Sequence, residues 1–434
     1  MARLHPFRAL RPAPATAAAV SSVPYDVVST DEARQLASGN PLSFLRVTRS
    51  EIDLPADADP YSAEVYAKAR ANFQTLKTKA PLVFEDTPSL YLYRLRMGNH
   101  EQTGIAGCFS IDEYESDVIK KHERTRRDKE DDRTRHILEL RAQTGVVFLT
   151  YRAVPDIDAV ARQVIAGQPL YDFMAPRGAE RGAGVPESDE LGGVQGSPPS
   201  NDGVQHTIWR AGLDETRALT QLFVHLPSLY IADGHHRAAS AARARAELKT
   251  RLGGVSDEGD YNTFIAVAFP DNQMQILPYN RVVKDLAGRT PSQFLAALRE
   301  RFPVTAAESR PRGKGEVAMY LDGLWHAIDL SRAQPADNTR ASTLDVALLQ
   351  HHILERLLNV GDVRTDKRID FVGGARGTVA LERAVNSGAA AVAFSLHPVT
   401  VDYLMAISDA GGIMPPKSTW FEPKLRDGLL IHCI

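Results

Sequence analysis

Apolar and polar positions change places in short runs along the chain, and each run predicts a compact element. SLYLYRLRM and TGIAGCFS flank Gly98-Asn99-His100, so Ser89–Ser110 predicts a β-hairpin. Ser62–Lys79 has helical spacing and predicts an amphipathic helix. Leu222–Ala232 (LFVHLPSLYIA) is apolar and stops at Asp233-Gly234, after which His235–Leu248, rich in Ala and Arg, predicts a helix. Phe264–Phe269 and Met274–Leu277 predict two strands around Pro270-Asp271-Asn272. A helix (Thr290–Phe302), a hairpin turning at Asp322-Gly323, a helix (Leu344–Leu358) and a β-α-β-like stretch to Ser395 predict a second unit. Such alternation favours a mixed α/β or α+β protein.

One segment breaks the pattern. Ala175–Asp202 is rich in Gly, Pro, Ser and acids and shows no apolar period, so it predicts a long mobile loop. Composition adds limits. The chain has 434 residues and a net charge of −3, which argues against a protein that coats nucleic acid. Two cysteines, Cys108 and Cys433, are too few for a disulfide scaffold or a four-Cys zinc module. The longest apolar run, Gly388–Leu396, is far shorter than the roughly 20 residues of a spanning helix. Pro6, Pro12 and Pro14 interrupt the alanine-rich start, so it is read as mature protein, and the expected location is cytoplasmic.

The first chemical motif is YIADGHHRAA, residues 230–239. An apolar strand enters, Gly234 permits a tight turn, and a helix leaves. The first turn of such a helix has unpaired N–H groups and a positive dipole end, which suit phosphate. Arg237 adds a fork of donors, and His235 and His236 add more. Asp233 is placed to hold magnesium or to orient a histidine. The competing reading is a helix cap with surface histidines. Adjacent histidines point about 100° apart, which disfavours zinc.

The second motif is KKHERTRRDKEDDRTRH, residues 120–136, with eight Lys/Arg against five Asp/Glu. A solvated charged helix explains most of it. The opening fits that reading less well. A carboxylate among so many cations stays ionised, so Glu123 is a candidate base, with His122 beside it. Lys121 and Arg133 are candidates to neutralise phosphate. Tyr25-Asp26, His206, Trp209, Tyr279 and Arg281 sit at predicted strand or loop ends, where a structural role is commoner. Lys417, Ser418 and Thr419 follow a rigid Pro-Pro pair and present three donors.

HPFRALRP, VPYDVVS, NPLSFLRVTR, KKHERT with DRTRH, YIADGHHRAA, LPYNRVV and MPPKSTWFEPKLRDGL together resemble a large bacterial family catalogued only as an uncharacterised domain. More distantly, His122-Glu123 and Asp233–Arg237 resemble the free-serine kinases of archaea and staphylococci, within the ParB/sulfiredoxin superfamily. This resemblance implies an α+β fold, with a mixed-sheet core and large insertions over residues 1–290. A second α/β unit over 291–410 and a segment 411–434 that returns to the site complete the expectation. It also implies phosphoryl transfer between ADP or ATP, with Mg2+, and the hydroxyl of free L-serine, in either direction. Glu123 matches the base, and Asp233, Gly234, His235, His236 and Arg237 match the loop that holds phosphates and magnesium. Tyr25, Asp26, Tyr279, Arg281, Lys417, Ser418 and Thr419 are carried as substrate-binding candidates. VPYDV, the 175–202 segment and KSTWF have no counterpart in the compact kinases. Two rivals remain: a metal-dependent phosphoesterase built on His122, His235 and His236, and a ParB-like nucleotide switch. Expected partners are small molecules, with no membrane or nucleic acid, and the oligomeric state is open, a homodimer included.

Overall fold

Residues 2–175, 203–251, 253 and 259–434 are described in a computed structural model of the chain. The expected mobile segment 175–202 lies, from 176 onward, outside the described residues. The chain forms an α+β fold of two units. The described part of the first runs to 175, resumes at 203, continues to Met274 and takes up Pro423–Ile434; the second is Gln275–Glu422. The sequence reading placed a boundary near 290, but the break follows Met274, because Tyr279–Val283 pairs with strands of the second sheet.

The first unit is laid on a mixed sheet. Its strands in chain order are β1 (Leu4–His5), β2 (Tyr91–Met97), β3 (His100–Ser110), β4 (Ile119–Lys120), β5 (Val147–Tyr151), β6 (Tyr171–Met174), β7 (Val204–Arg210), β8 (Leu229–Asp233) and β9 (Thr263–Pro270). They pair in the order β4-β8-β5-β9-β3-β2-β7-β6, with β1 added to β3. β2 and β3 form the expected hairpin, Tyr91 facing Ala106 and Met97 facing His100, around a Gly98 at φ +57°. Period-two alternation is weak in β5 and β9, which are buried along their length, as a sheet covered on both faces requires.

Helices α1 (Ala63–Lys79), α2 (Arg127–Leu140), α3 (Pro155–Ile165), α4 (Leu213–Phe223) and α5 (His235–Arg251) surround this sheet. The predicted apolar run from Leu222 does not start a strand. Leu222 and Phe223 close α4, and the strand begins only at Leu229. Phe223 packs with Phe109, Leu149 and Ile231 in the main core, where Phe109 also meets Phe264 at 6.3 Å. Each such phenyl contributes about 1.5–3 kcal/mol by leaving water. A second cluster seats Phe73 and Leu76 of α1 against Phe44, Val47, Leu140 and Ile431. Ile431 arrives there because Leu10 N–H donates to its carbonyl and because His432 and Cys433 pair with Gln143 and Ala142. The C-terminal residues are thus woven into the first unit. Cys108 and Cys433 are free thiols.

The second unit has an antiparallel sheet of β10 (Tyr279–Val283), β11 (Val304–Ala306), β12 (Glu316–Leu321), β13 (Leu324–Asp329), β14 (Ile369–Gly373) and β15 (Val392–Ser395), in the order β11-β13-β12-β15-β10-β14. Helix α6 (Pro291–Arg299) opens with a Thr290–Gln293 capping box. The predicted β-α-β is present as β14, α7 (Val379–Asn386) and β15, with β10 lying between its two strands. Helix α8 (Val401–Asp409) follows, capped by Thr400. The predicted Leu344–Leu358 helix is α-helical only over Asp345–Leu349 and widens into a π turn at Gln350–Glu355. Among the described residues no helix is long and apolar enough to cross a membrane.

Candidate phosphate-handling site

Sheet register explains how two distant motifs meet. β4 and β8 run parallel, with Leu229 opposite Ile119 and Tyr230 opposite Lys120. The chain therefore leaves both strands on the same side: Lys121-His122-Glu123 from one, Asp233-Gly234-His235 from the other. His122 N–H donates to His235 Nε2 at 3.4 Å across 113 residues of chain, and the two rings meet edge-to-face at 4.4 Å. Arg126 N–H donates to His236 Nε2 at 3.0 Å. His235 Nδ1 lies 3.9 Å from Glu123 Oε2.

The turn depends on Gly234. Its φ is +93°, and a Cβ there would stand 3.3 Å from Arg237 Cδ and 3.4 Å from the Val147 backbone. Helix α5 starts at once, with Arg237 N–H bonded to the Gly234 carbonyl at 2.9 Å. Asp233 accepts from the Gly234 N–H and, through its other oxygen, from Lys424 Nζ, both at 2.8 Å. Burial pushes the Asp233 carboxyl up, but Lys424 and Arg237 outweigh it and hold the carboxyl well below the usual range.

His122 and His235 are held neutral. Burial pulls His122 down to about 4, and burial with the neighbouring His122 holds His235 well below its ordinary value. Since His235 Nε2 is an acceptor, its proton sits on Nδ1, the nitrogen facing Glu123. His122 Nδ1 is buried without a hydrogen-bond partner among the described residues. Glu123 itself is 45% exposed, open enough for a substrate to reach.

The expected cationic phosphate ligands behave differently. Arg237 is buried: one nitrogen donates to both Asp26 oxygens at 2.7 and 2.9 Å, another to the Val146 carbonyl at 2.7 Å. Arg133 is spent on Asp132 and the Thr48 carbonyl and lies 4.2 Å over the Tyr25 ring. Lys121 donates to the Tyr114 carbonyl at 2.8 Å and pairs with Asp117 at 2.6 Å. These three side chains brace the loops through protein partners in this structure. Tyr25 and Asp26, read as substrate candidates, are part of the same bracing. A cavity of about 30 Å³ remains beside Tyr25, Arg133, Gly145 and Arg237.

Tyr279, Arg281, Lys417, Ser418 and Thr419 belong to the second unit. Arg281 is buried and donates to the carbonyls of Tyr279 and Lys417, the latter at 2.9 Å, and burial lowers it to about 9. Lys417 stands 5.5 Å over the Tyr279 ring, Ser418 donates to the Pro415 carbonyl at 2.6 Å, and Thr419 precedes the short strand Trp420–Phe421. The lysine that reaches Asp233 is Lys424, seven residues after Lys417 in the same MPPKSTWFEPKLRDGL motif. Sequence reasoning missed it, and it missed Asp427. Ser22 and Asp427 exchange backbone hydrogen bonds at 3.1 and 2.9 Å, and Asp427 is 1% exposed with Oδ2 unpartnered among the described residues. Burial raises its carboxyl to about 7, Asp26 acting the same way and Arg237 opposing. The alternation of charges in EPKLRD was the available signal.

The sequence matches the family described as a protein of unknown function, DUF1015, over residues 4–198 and 197–347. The chain belongs to this family. Glu123 and Asp233–Arg237 lie within the family match, whereas Lys424 and Asp427 lie beyond it. Solved structures similar to this family member include a free serine kinase in complex with AMP, 12% identical, TM-score 0.33, over 73% of this chain and 86% of that one. A conserved hypothetical protein from Pyrococcus furiosus is 12% identical, TM-score 0.33, over 75% and 94%. SbnI with C-terminal truncation from Staphylococcus aureus is 11% identical, TM-score 0.31, over 74% and 84%. No curated protein matches the chain.

Proposed function

We propose that this protein is a cytoplasmic phosphotransferase acting between a nucleotide, ADP or ATP, and the hydroxyl of free L-serine. The observation that carries this reading is the pairing of β4 with β8. It sets an exposed carboxylate, Glu123, beside a glycine turn that opens directly into helix α5. Phosphoryl transfer asks for little more than positioning, charge neutralisation and a base.

In the forward direction Glu123 takes the proton of the serine hydroxyl. The serine oxygen forms a bond to the terminal phosphorus as the bond to the departing AMP or ADP oxygen breaks. The N–H groups at the start of α5 face the phosphate, and neutral His235, with its Nδ1 proton toward Glu123, helps hold that carboxylate in place. The reverse reaction uses the same groups, Glu123 returning the proton to serine.

Asp233 suits a nucleotide-borne magnesium only as a single protein carboxylate, since Gly234 N–H and Lys424 already engage its oxygens. Among the described residues no three His, Cys, Asp or Glu form a metal cage. When bound, the ion would neutralise phosphate charge. A phosphoesterase centre on the histidines is less well supported, because His235 and His236 each spend Nε2 on a backbone N–H.

The full-length protein, mixed with L-serine, magnesium and ADP or ATP in turn, should form O-phosphoserine. O-phosphoserine with AMP or ADP should give serine. Absence of both products ends the proposal. Glu123→Gln should lower turnover about 10²–10⁴-fold while nucleotide binding persists.

A further inference from the structure

The second unit contains a cavity of about 60 Å³, room for on the order of five water-sized groups. Two opposite charges line it without closing on each other. Asp345 is 7% exposed; among the described residues its two oxygens accept only from the Gly315 N–H, at 3.0 and 3.1 Å, and it makes no ion pair. Lys314 has no carboxylate partner among them either. Its Nζ lies 4.2 Å over the Tyr403 ring and donates to the Tyr403 hydroxyl.

The remaining polar groups add donors to the lining. Because Tyr403 accepts from Lys314, its own hydroxyl proton is left for an acceptor. His397 Nδ1 donates to the Pro398 carbonyl at 3.1 Å. The cavity is therefore lined by an acceptor, Asp345, and by donors, Lys314 and Tyr403. Leu396 and Val346 provide apolar wall. A buried carboxylate with no ion pair in contact is costly, and a ligand ammonium beside it would relieve that cost. Burial raises the Asp345 carboxyl, with the Gly315 N–H and the Lys314 charge opposing.

We propose that this pocket binds a small free amino acid, its ammonium on Asp345 and its carboxylate on Lys314 and Tyr403. The Tyr279 and Ser418 side chains also line it, which gives the KSTWF segment a role apart from phosphoryl transfer. The inference does not rest on the phosphotransferase reading.

The test is calorimetric titration of the full chain, without nucleotide, using glycine, L-alanine and L-serine, then methylammonium and acetate separately. At least one amino acid should bind with a Kd of roughly millimolar or tighter. Asp345→Asn, which keeps an acceptor for Gly315, and Lys314→Met, at an exposed position, should each weaken it about tenfold or more, with the melting temperature little changed. Glu123→Gln should leave it intact, which separates this pocket from the first-unit site. The proposal is overturned if none of the three binds, if binding survives both substitutions, if Glu123→Gln abolishes it, or if either single-charge probe binds as tightly as the amino acid.

Discussion

Arg237 and Asp26 are 211 residues apart in the chain, and one guanidinium nitrogen bonds both oxygens of that carboxylate. The pair ties the first residue turn of helix α5 to the VPYDV segment, with the Tyr25 ring 5.6 Å from the guanidinium. Asp26→Asn should destabilise the protein by about 1–3 kcal/mol, since a buried cation loses its charged partner. Arg237→Lys should cost a similar amount, because an ammonium cannot reach Asp26 and the Val146 carbonyl with the same fork. Urea denaturation measures both; unchanged midpoints would show the pair to be idle.

Lys424→Met removes the ammonium that holds Asp233 ionised. The Asp233 carboxyl should then titrate at higher pH, so the acid limb of the phosphotransfer pH profile should move upward. Turnover at neutral pH should fall by about tenfold or more. A profile that coincides with the wild type would remove Lys424 from the site.

Gly234→Ala should be worse than an ordinary loop substitution. The positive φ costs about 1–2 kcal/mol for an L side chain, and the new Cβ crowds Arg237 and Val147. Reduced thermal stability together with lost nucleotide binding is expected. Normal nucleotide affinity would mean that the turn does not shape the phosphate position.

Asp427 sets a stability trend with pH. Its folded carboxyl titrates near 7, above the unfolded value, so the folded state holds a proton that the unfolded chain has released. That contribution is complete below about pH 4 and is lost as pH rises toward 7. Buried His122, held at about 4, works in the opposite sense and favours the fold as pH rises to about 6.5. Asp427→Asn removes only the first trend. Relative to wild type, the variant should gain roughly 2–4 kcal/mol between pH 4 and pH 8, and a constant difference would contradict the assignment.

Local signals made much of this architecture legible. The Gly98 turn between two paired strands, the Thr290 capping box, and the glycine between Ala232-Asp233 and His235 all act within a few residues. The α+β class follows from these elements. Failures occurred where burial overrode period. Leu222 and Phe223 look like the start of a strand but close a helix, because α4 buries Phe223 against the sheet. The charged run 120–136 looks solvated, yet Asp132 and His136 are buried, bonded to Tyr66 at 2.7 Å and to the Val47 carbonyl at 3.0 Å.

Sequence by itself determined the residue types and the local geometry of the two motifs: a carboxylate among cations, and a glycine turn leading into a helix. Their meeting was decided by tertiary structure, through parallel pairing of a two-residue strand with β8. Tertiary structure also spent Arg237 and Arg133 on internal partners, and it brought Lys424 rather than Lys417 to Asp233. The physical reason is that a side chain's charge is a property of its type, whereas its partner depends on which distant backbones share a sheet.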